Sequence, residues 1–537
     1  MPVVGSQAAL WLALLPIAVI LVLLIVWKKP ADICGIVGWL AASAVAWLFF
    51  NTSIEVLARS TVAGLIKSFA VSLIVLTSLL QMAFMEKTGA LKRVIIFIKT
   101  LARENKAVQI MMINVGFGTL MVAVGATPVS LIPPILIAMG YTTYVAIALP
   151  AIGYDSLCTY ALLGAPIVVF VDVANGVFAK AGLPPISLSD AGKVFFFFLP
   201  VVSTLIGFSM LWICGKWGAI NQGWLPCLIT GGVIGVVAYF TNRYDNFVTL
   251  TGIFCGLAVI IAMALYLRLT GKKVIDKSNL TPEELAYEKT YPLWKAFMPW
   301  ILLIVCILVL NVPKPAFDFL YRKAQLPING LNADGTPIAT RALWNAYTWI
   351  FVSTILSMIF LRPTTAQLKA TVATWWKRAP RPVFSAAIFF AIGEVMNMSG
   401  YDMAKKTFAV KSMFTVLADY SALVFQNAYG SITAFIGLLG GFITGSEAST
   451  IGMFAKYSLT TGQNLKMDVH ALILITAALA FGGGLASVIS PAKLQNAAAS
   501  IDKLGQENQV IRIAFVFSLV LTAITSLFAF LLLTFRF

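Results

Sequence analysis

The stretch GGFITGSEASTIGMF, residues 440–454, places hydroxyl groups and one carboxylate side by side within an apolar run. Hydroxyl groups and free backbone N–H groups at the start of a helix are donors that attract an anion without a permanent charge. A second stretch, VAVGATPVS at 122–130, offers the same donors. We therefore predict that a small organic anion binds between the two stretches. The predicted binding residues are Gly125, Thr127, Pro128, Thr444, Gly445, Ser446, Ser449, Thr450, Ser490 and Lys493.

Acidic side chains inside apolar runs form a second group of candidates. Glu447 lies in the first stretch, Asp155 in IGYDSLCTYALLGAPIVVF, and Glu394 in AIFFAIGEVMNMSG. A carboxylate that is moved out of water holds its proton more tightly, so it can exchange a proton near neutral pH. These three acids are the predicted proton-coupling residues, and Glu447 is the best placed because polar residues flank it. The alternative for each acid is a structural ion pair or a helix cap.

Lys493 is the predicted counter-charge for a bound anion, since it closely follows Ser490 in a run that is interrupted by Gly and Pro. The alternative is a lysine at a helix end whose ammonium group extends to the membrane interface. Lys67 is the other basic residue placed inside an apolar run. His470 is the single histidine, and the six cysteines show no CxxC spacing. We therefore predict neither a metal site nor a cofactor.

The composition predicts a membrane protein. The chain of 537 residues is 60% hydrophobic and 11% charged, with a mean hydropathy of +0.91. These values lie outside the range of soluble domains, and apolar runs of about 18 to 25 residues recur, each long enough to cross a bilayer as a helix. The net charge of +17 comes from Lys and Arg in short connections without interleaved aromatic residues, so nucleic-acid binding is not predicted. We predict an all-α, multi-pass protein in the lipid bilayer.

The distribution of basic residues predicts the orientation, because Lys and Arg near the ends of spans stay on the cytoplasmic side. Connections at 51–60 and 312–341 are predicted to lie outside. Those predicted to be cytoplasmic are 28–29, 87–106, 268–295 and 362–382.

Two blocks of the chain share a layout but enter the membrane from opposite sides. Each has a long span, a polar segment, two apolar runs interrupted by Gly and Pro, and a closing helix. Inverted repeats with broken helices are typical of secondary transporters, whose substrate site lies at mid-membrane. The alternative for any one break is a simple kink. The predicted division is N-terminal helices at 1–61, repeat 1 at 62–215 with a hairpin near 114–140, connecting helices at 216–382, and repeat 2 at 383–537 with a hairpin near 428–458.

Several of these motifs resemble a known family, the lactate permeases, which include glycolate permeases. FITGSEASTIGMF is similar to the family's F-L-T-G-S-D-T-S-S-N-x-L-F, and GGGLASVISPAKLQNAAA resembles G-G-V-x-G-K-x-I-S-P-Q. MNMSG at 396–400 resembles N-Y-S-G, and VGATPVS resembles G-F-G-A-P-V-A. The likeness covers most of the chain in order and spacing.

The resemblance implies a symporter of the inner (cytoplasmic) membrane that takes up L-lactate or glycolate with a proton. It also implies paired re-entrant hairpins and an elevator-type motion. The chain departs from the family pattern at four places, which indicates a divergent member. The family has an acid in its first hairpin that has no counterpart in this chain. After the residues Ile-Ser-Pro this chain has Ala492 and Lys493, where the family has Gln. Asp155 falls where the family has Asn-Thr, and Glu394 falls where the family has an apolar residue.

The leading hypothesis is a secondary active transporter that imports L-lactate or related 2-hydroxy monocarboxylates by proton symport. One alternative is sodium coupling, because freed carbonyl oxygens at hairpin tips bind hard cations. Another is a carrier for a different small anion, such as a dicarboxylate or a sulfonate. A channel is a third, whereas an enzyme is not predicted because neither a nucleophile–base pair nor a cofactor motif is visible. The oligomeric state stays open, with a homodimer as one option.

Overall fold

The computed structural model describes residues 7–503 and 506–535, and most of these residues are helical. A π-helical segment, Met111–Phe117, joins the sixth α-helix to the seventh. The first nine α-helices of the described chain are α1 Gln7–Ile25, α2 Ala31–Phe49, α3 Ile54–Lys67, α4 Phe69–Lys87, α5 Ala90–Lys99, α6 Lys106–Ile110, α7 Gly118–Ala123, α8 Pro128–Ala138 and α9 Thr143–Gly153.

The middle of the chain contains a 3₁₀ segment, Tyr154–Tyr160, and a π-helical segment, Asp318–Lys323. Strands β1 Pro327–Ile328 and β2 Ile338–Ala339 pair antiparallel. The α-helices of this part are α10 Ala161–Ala181, α11 Leu188–Phe195, α12 Phe198–Thr241, α13 Asp245–Val248, α14 Thr251–Leu269, α15 Pro282–Thr290, α16 Leu293–Ala296, α17 Met298–Asn311, α18 Lys314–Phe317 and α19 Ala346–Leu361.

The last third has two 3₁₀ segments, Gln426–Ser431 and Ser487–Ile489. Strands β3 Tyr401–Asp402 and β4 Thr407–Phe408 form a second antiparallel pair. The α-helices are α20 Thr365–Arg378, α21 Pro380–Met398, α22 Met413–Phe425, α23 Thr433–Thr444, α24 Glu447–Asn464, α25 Val469–Ala486, α26 Pro491–Ala499 and α27 Glu507–Phe535.

Within the described residues, nine helices are long and apolar enough to cross a membrane, or up to twelve if each sharply bent pair is one span. The prediction of an all-helical, multi-pass protein is confirmed. The inner helices differ from the outer ones in burial. Lys106–Ala123 is 89% buried and α25 is 83% buried, whereas α1 and α2 are 39% and 33% buried. The polar breaks therefore lie in the best-packed part of the molecule, and the outer helices present apolar side chains to lipid.

The predicted cytoplasmic connections lie together at one end of the helices, which we call the basic face. The carboxyl of Glu284 there has a pKa below its usual value. Burial alone would raise this pKa, but hydrogen bonds from Lys99 and from the backbone N–H of Thr281 lower it. Ion pairs that join distant parts of this face are Arg93–Glu288, Lys99–Glu284, Arg103–Asp276, Arg378–Glu86 and Arg381–Asp32.

The predicted outer connections meet at the other end, the opposite face. Helix α21 starts beside the basic face and ends just before Gly400, whose N–H donates to Thr52. The connections predicted to be cytoplasmic thus lie at one end of the helices and those predicted to be outside lie at the other, as the predicted topology requires. The assignment of the basic face to the cytoplasm stays a prediction. Contacts within the opposite face are Arg59–Gly330, Lys180–Asp334, Arg322–Asp245 and Arg341–Asp172.

Helices α23 and α24 form a hairpin whose tip is Gly445. A Cβ atom added at Gly440 would lie 2.7 Å from Cγ2 of Thr450 and 2.9 Å from the ring of Phe454. In an unbroken helix, residues 440 and 454 would be about 21 Å apart along the axis. The chain therefore reverses at Gly445, whose φ of +69° is in the left-handed region that glycine adopts without strain.

Glycines allow α23 to lie directly against α25. A Cβ added at Gly441 would be 2.1 Å from the carbonyl oxygen of Gly483, and one added at Gly437 would be 1.8 Å from that of Leu479. Neither distance leaves space for a side chain. Small residues four apart commonly bring membrane helices into backbone contact, and this contact sets the position of the hairpin.

The first half of the chain contains two breaks. Helix α7 ends before Gly125, which has a φ of +88°, and α8 begins at Pro128. The second break is a left-handed turn at the start of α10, where Leu162 and Leu163 have φ values of +52° and +55°. Left-handed backbone costs a non-glycine residue about 1 to 2 kcal/mol, and such strain clusters at functional sites.

Gly441→Ala is expected to destabilise the protein by about 1 to 3 kcal/mol, because its methyl group meets backbone atoms that cannot rotate away. The matched control is Gly232→Ala in α12, where an added Cβ meets nothing within 4 Å. Thermal unfolding of both purified variants in detergent measures the difference. Equal melting temperatures for the two variants would contradict the packing role of Gly441.

Candidate solute-binding site

The site centres on Glu447, the first residue of α24. Its side chain is only 4% exposed, and its Oε1 accepts a hydrogen bond of 2.6 Å from the hydroxyl of Thr159. Its Oε2 is buried and has no hydrogen-bond partner among the described residues. A Cβ added at Gly484 would lie 2.7 Å from this Oε2. The glycine thus makes room for a carboxylate that is half satisfied and well shielded from lipid.

Three other polar groups surround this carboxylate. Asp155 and Lys493 lie within electrostatic range of Glu447. The thiol of Cys158 donates to Oδ1 of Asp155 over 3.1 Å. Asp155, Cys158 and Thr159 all come from the 3₁₀ segment before the left-handed turn. Two acids and one lysine are therefore gathered where breaks from both halves of the chain meet.

The hydroxyls of Thr444 and Thr450 stabilise the hairpin tip. Both donate to the carbonyl oxygen of Ser446, over 2.9 and 2.8 Å, and the two hydroxyl oxygens lie 3.1 Å apart. These two predicted binding residues are thus engaged in the turn itself. Gly445 and Ser446 are partly exposed in otherwise buried surroundings, so the tip is accessible at these two residues.

The start of α24 has unused donors. No side chain caps this helix, and the first backbone N–H groups of a helix have no partner within it. The hydroxyl of Ser449, which is fully buried, also has no hydrogen-bond partner among the described residues. Uncapped N–H groups and the helix dipole favour an anion at this position. The predicted donors Ser446 and Ser449 are therefore placed where a carboxylate group can accept from them.

Of the other predicted binding residues, Ser490 lies at the hairpin tip, whereas Gly125, Thr127 and Pro128 lie at the first break of the first half. The hydroxyl of Ser490 is 3.2 Å from the point where a Cβ on Gly445 would be, so Ser490 lies against the tip. Around Gly125, an added Cβ would meet Ser78, Ile350 and Leu162. Thr127 is exposed and Pro128 begins α8. Thr159, in the 3₁₀ segment just before the second break of the first half, makes a hydrogen bond to Glu447 that joins the two halves.

Glu394 has a different environment from Glu447. Its Oε1 is 2.8 Å from the ammonium group of Lys67. The contact is the structural ion pair that was the alternative interpretation of this acid. Lys67, the other charge inside an apolar run, is the residue that completes the pair.

A small cavity lies beside the left-handed turn of the first half. Its lining includes Leu162 and Leu163 on one side and Asn311, Trp344 and Asn345 on the other. The cavity therefore adjoins a break, and it does not include Glu447 in its lining.

Sequence reasoning missed three residues that complete the site, namely Thr159, Cys158 and Gly484. Cys158 follows Asp155 by three residues, which places both on one side of a 3₁₀ segment. That spacing was a usable signal. No local pattern identifies Gly484, because its role depends on a carboxylate that arrives from another helix.

A sequence model described as L-lactate permease matches residues 9–535, which is nearly the whole chain. The chain belongs to the L-lactate permease family. The family resemblance noted from the motifs is thereby confirmed, and relatives of this family are named permeases.

Similarity to individual members is low but extends over whole chains. This permease is 22% identical to the glycolate permease GlcA of Escherichia coli K12, covering 98% of this chain and 95% of that protein. It is also 22% identical to the L-lactate permease of the same strain, covering 91% of this chain and 90% of that one. Among solved structures, the YdaH transporter of Alcanivorax borkumensis has a TM-score of 0.45 at 12% identity, over 89% of this chain and 88% of that one.

Gly445→Ala tests whether this permease needs a left-handed residue at the tip. A residue with a Cβ at φ +69° costs about 1 to 2 kcal/mol, so we expect a lower melting temperature in detergent. The control is Gly176→Ala within α10, where nothing lies within 4 Å of an added Cβ. A Gly445→Ala variant as stable as the control would show that the tip relaxes freely.

Proposed function

We propose that this permease is a secondary active transporter that imports L-lactate or related 2-hydroxy monocarboxylates, such as glycolate, by proton symport across the inner (cytoplasmic) membrane. Glu447 carries the proton in this proposal, and Thr159 and the start of α24 contact the solute. The observation that supports it is a buried carboxylate with one oxygen bonded to Thr159 and the other oxygen without a partner among the described residues.

The charges around Glu447 favour coupling to a proton. With both acids ionised, Asp155, Glu447 and Lys493 sum to one negative charge, which repels an incoming anion. If a proton binds together with the anion, the total charge of the site does not change. Charge balance in a buried site therefore favours one proton for each monocarboxylate, since an uncompensated buried charge is costly.

The hydroxyl of Thr159 provides a link between proton and solute. It donates to Glu447 when the acid is ionised. A protonated Glu447 no longer needs this donor, and the hydroxyl is then free to donate to a solute carboxylate instead. Protonation thus adds a donor to the site and removes a negative charge at the same time. Both changes favour anion binding in the protonated state.

The placement of the site is compatible with movement of one half against the other. Thr159 lies in the block 62–215 and Glu447 in the block 383–537, so the hydrogen bond between them crosses the boundary of the two predicted repeats. Each block has the order break, two helices, second break, at α7–α8–α9–α10 and at α23–α24–α25–α26. We propose that these blocks are inverted repeats and that an elevator-type motion carries the solute.

Glu447→Gln is expected to abolish gradient-driven accumulation of L-lactate but to leave counterflow exchange, because glutamine accepts and donates hydrogen bonds but cannot carry the proton. Uptake by proteoliposomes under an imposed proton gradient measures accumulation. Exchange of external labelled L-lactate with internal unlabelled L-lactate measures counterflow. The matched control is Glu283→Gln, an exposed acid of α15. Accumulation at the wild-type level in Glu447→Gln would remove this residue from the coupling role.

Uptake by the same proteoliposomes distinguishes coupling to protons from coupling to sodium. A sodium gradient with the proton gradient collapsed drives no uptake under the proposal. Accumulation under those conditions would identify sodium as the coupling ion. Competition by glycolate, malate and sulfolactate ranks the solutes and would expose a dicarboxylate or sulfonate carrier.

Thr159→Val is expected to lower uptake roughly 10- to 100-fold, because Glu447 loses a charge-assisted hydrogen bond of about 1.5 to 3 kcal/mol. Thr159→Ser keeps the hydroxyl and is expected to retain most activity. Thr476→Val controls for the loss of a buried hydroxyl, since Thr476 donates only to the backbone of its own helix over 2.9 Å. Equal uptake by the Val and Ser variants of Thr159 would contradict its role.

A further inference from the structure

A second group of charges lies between the Glu447 site and the opposite face. Lys67 pairs with Glu394 over 2.8 Å, and Lys180 pairs with Asp334 over 2.7 Å. Lys456, on α24, lies within electrostatic range of all four of these groups. Five charged residues from α3, α10, α21, α24 and the 312–341 connection thus share one region of the protein.

The charges of this group do not balance. Three lysines face two carboxylates, and each carboxylate is already paired with a lysine other than Lys456. Within the described chain, Lys456 itself makes neither an ion pair nor a hydrogen bond through its ammonium group, although its side chain is mostly buried. An ammonium group that is partly removed from water and has no partner is costly in a membrane protein. The missing partner is a group with one negative charge.

The helices around these charges cross closely and leave one hydroxyl donor unused. Backbone atoms of α21 lie within 3.0 Å of Cβ atoms built at Gly64 of α3, and α24 lies equally close to one built at Gly393. The three helices therefore cross in close contact. On α3, the hydroxyl of Ser60 is buried and has no hydrogen-bond partner among the described residues. Hydroxyl groups complement a lysine in binding a carboxylate.

The position of Lys456 places this region on a path to the proposed transport site. Lys456 follows Glu447 by nine residues, which is about 13 Å along α24. Asp334 and Lys180 lie in the opposite face. Ser449 and Lys456 are seven residues apart, so they lie on the same side of α24. A solute that enters from the opposite face along this side passes Lys456 before it reaches the hairpin tip.

We propose that Lys456, assisted by Lys67, forms a second anion site that binds the carboxylate of a singly charged solute between the opposite face and the hairpin tip. The identity of the solute as a 2-hydroxy monocarboxylate rests on the proposed function. The excess of one positive charge selects monocarboxylates over dicarboxylates, because a second negative charge would be left uncompensated. Lys456 thereby acts as a specificity residue outside the coupling site.

Binding to the purified full-length protein tests this site without any need for transport. L-lactate, glycolate, malate and chloride are titrated separately, by calorimetry in detergent at neutral pH. Lys456→Gln is expected to weaken binding of L-lactate and glycolate roughly 10- to 100-fold, which is the effect of losing one charge-assisted contact. Lys456→Arg keeps the charge and is expected to restore most of the affinity. The matched control is Lys466→Gln, an exposed lysine in the connection after α24 that is expected to bind as the wild type does.

A second variant, which is expected to have the opposite effect on affinity, keeps the test valid if Lys456→Gln does not fold. Glu394→Gln removes a negative charge from the same group, so it is expected to bind L-lactate more tightly than the wild-type protein. The melting temperature of each variant without solute reports whether it is folded. Wild-type affinity in a folded Lys456→Gln, or weaker binding in a folded Glu394→Gln, would overturn the proposal. Binding of chloride and L-lactate with equal affinity would identify an ordinary halide site and would also overturn it.

Transport measurements separate this proposal from the proposed function. If the wild-type protein binds L-lactate in a Lys456-dependent manner but does not accumulate it in a proton gradient, then the proposed function fails and the second site stands. If the wild-type protein accumulates L-lactate and Lys456→Gln does so with an unchanged KM, then the second site fails and the proposed function stands.

Discussion

The fold around the site depends on one constraint, which is that a carboxylate buried in a membrane protein needs hydrogen bonds or a proton. Glu447 satisfies half of this need through Thr159, 288 residues away in the chain. Its second oxygen is buried without a partner among the described residues. The hairpin tip, the 3₁₀ segment of the first half and the glycine at position 484 all serve to place this one group. A carboxylate in this state is sensitive to any proton or anion that enters the site, and this sensitivity is the basis of the proposed coupling.

Backbone contacts between helices supply the rigidity that such a group requires. Helices α23 and α25 meet through glycines, so their backbones touch and cannot slide without a clash. The tip at Gly445 is in turn stabilised by two threonine hydroxyls that donate to one carbonyl oxygen. The region near α24 thus combines a tightly packed stem with a tip whose N–H groups remain available. The same helix carries Lys456 further along, which connects the tip to the charges near the opposite face.

Much of the architecture was predictable because it follows from local patterns. The apolar runs predicted the helices, and the Gly and Pro residues predicted interruptions at Gly125 and Gly445, where the structure does place left-handed residues. Basic residues predicted which connections group at one end. The site was predicted less completely. Asp155, Ser490, Lys493 and the tip gather around Glu447, but Glu394 pairs with Lys67, and the partner of Glu447 is Thr159.

The sequence by itself determined that the chain crosses a membrane many times, that it breaks at defined positions, and that rare polar groups lie beside those breaks. These properties depend on the free energy of transferring each residue into lipid and on the backbone freedom of Gly and Pro, which are local quantities. Only the tertiary structure decided which polar groups meet. That choice depends on the rotation and crossing of helices that are far apart in sequence, and here it is set by where glycines such as Gly441 and Gly484 leave space for a neighbouring backbone or carboxylate.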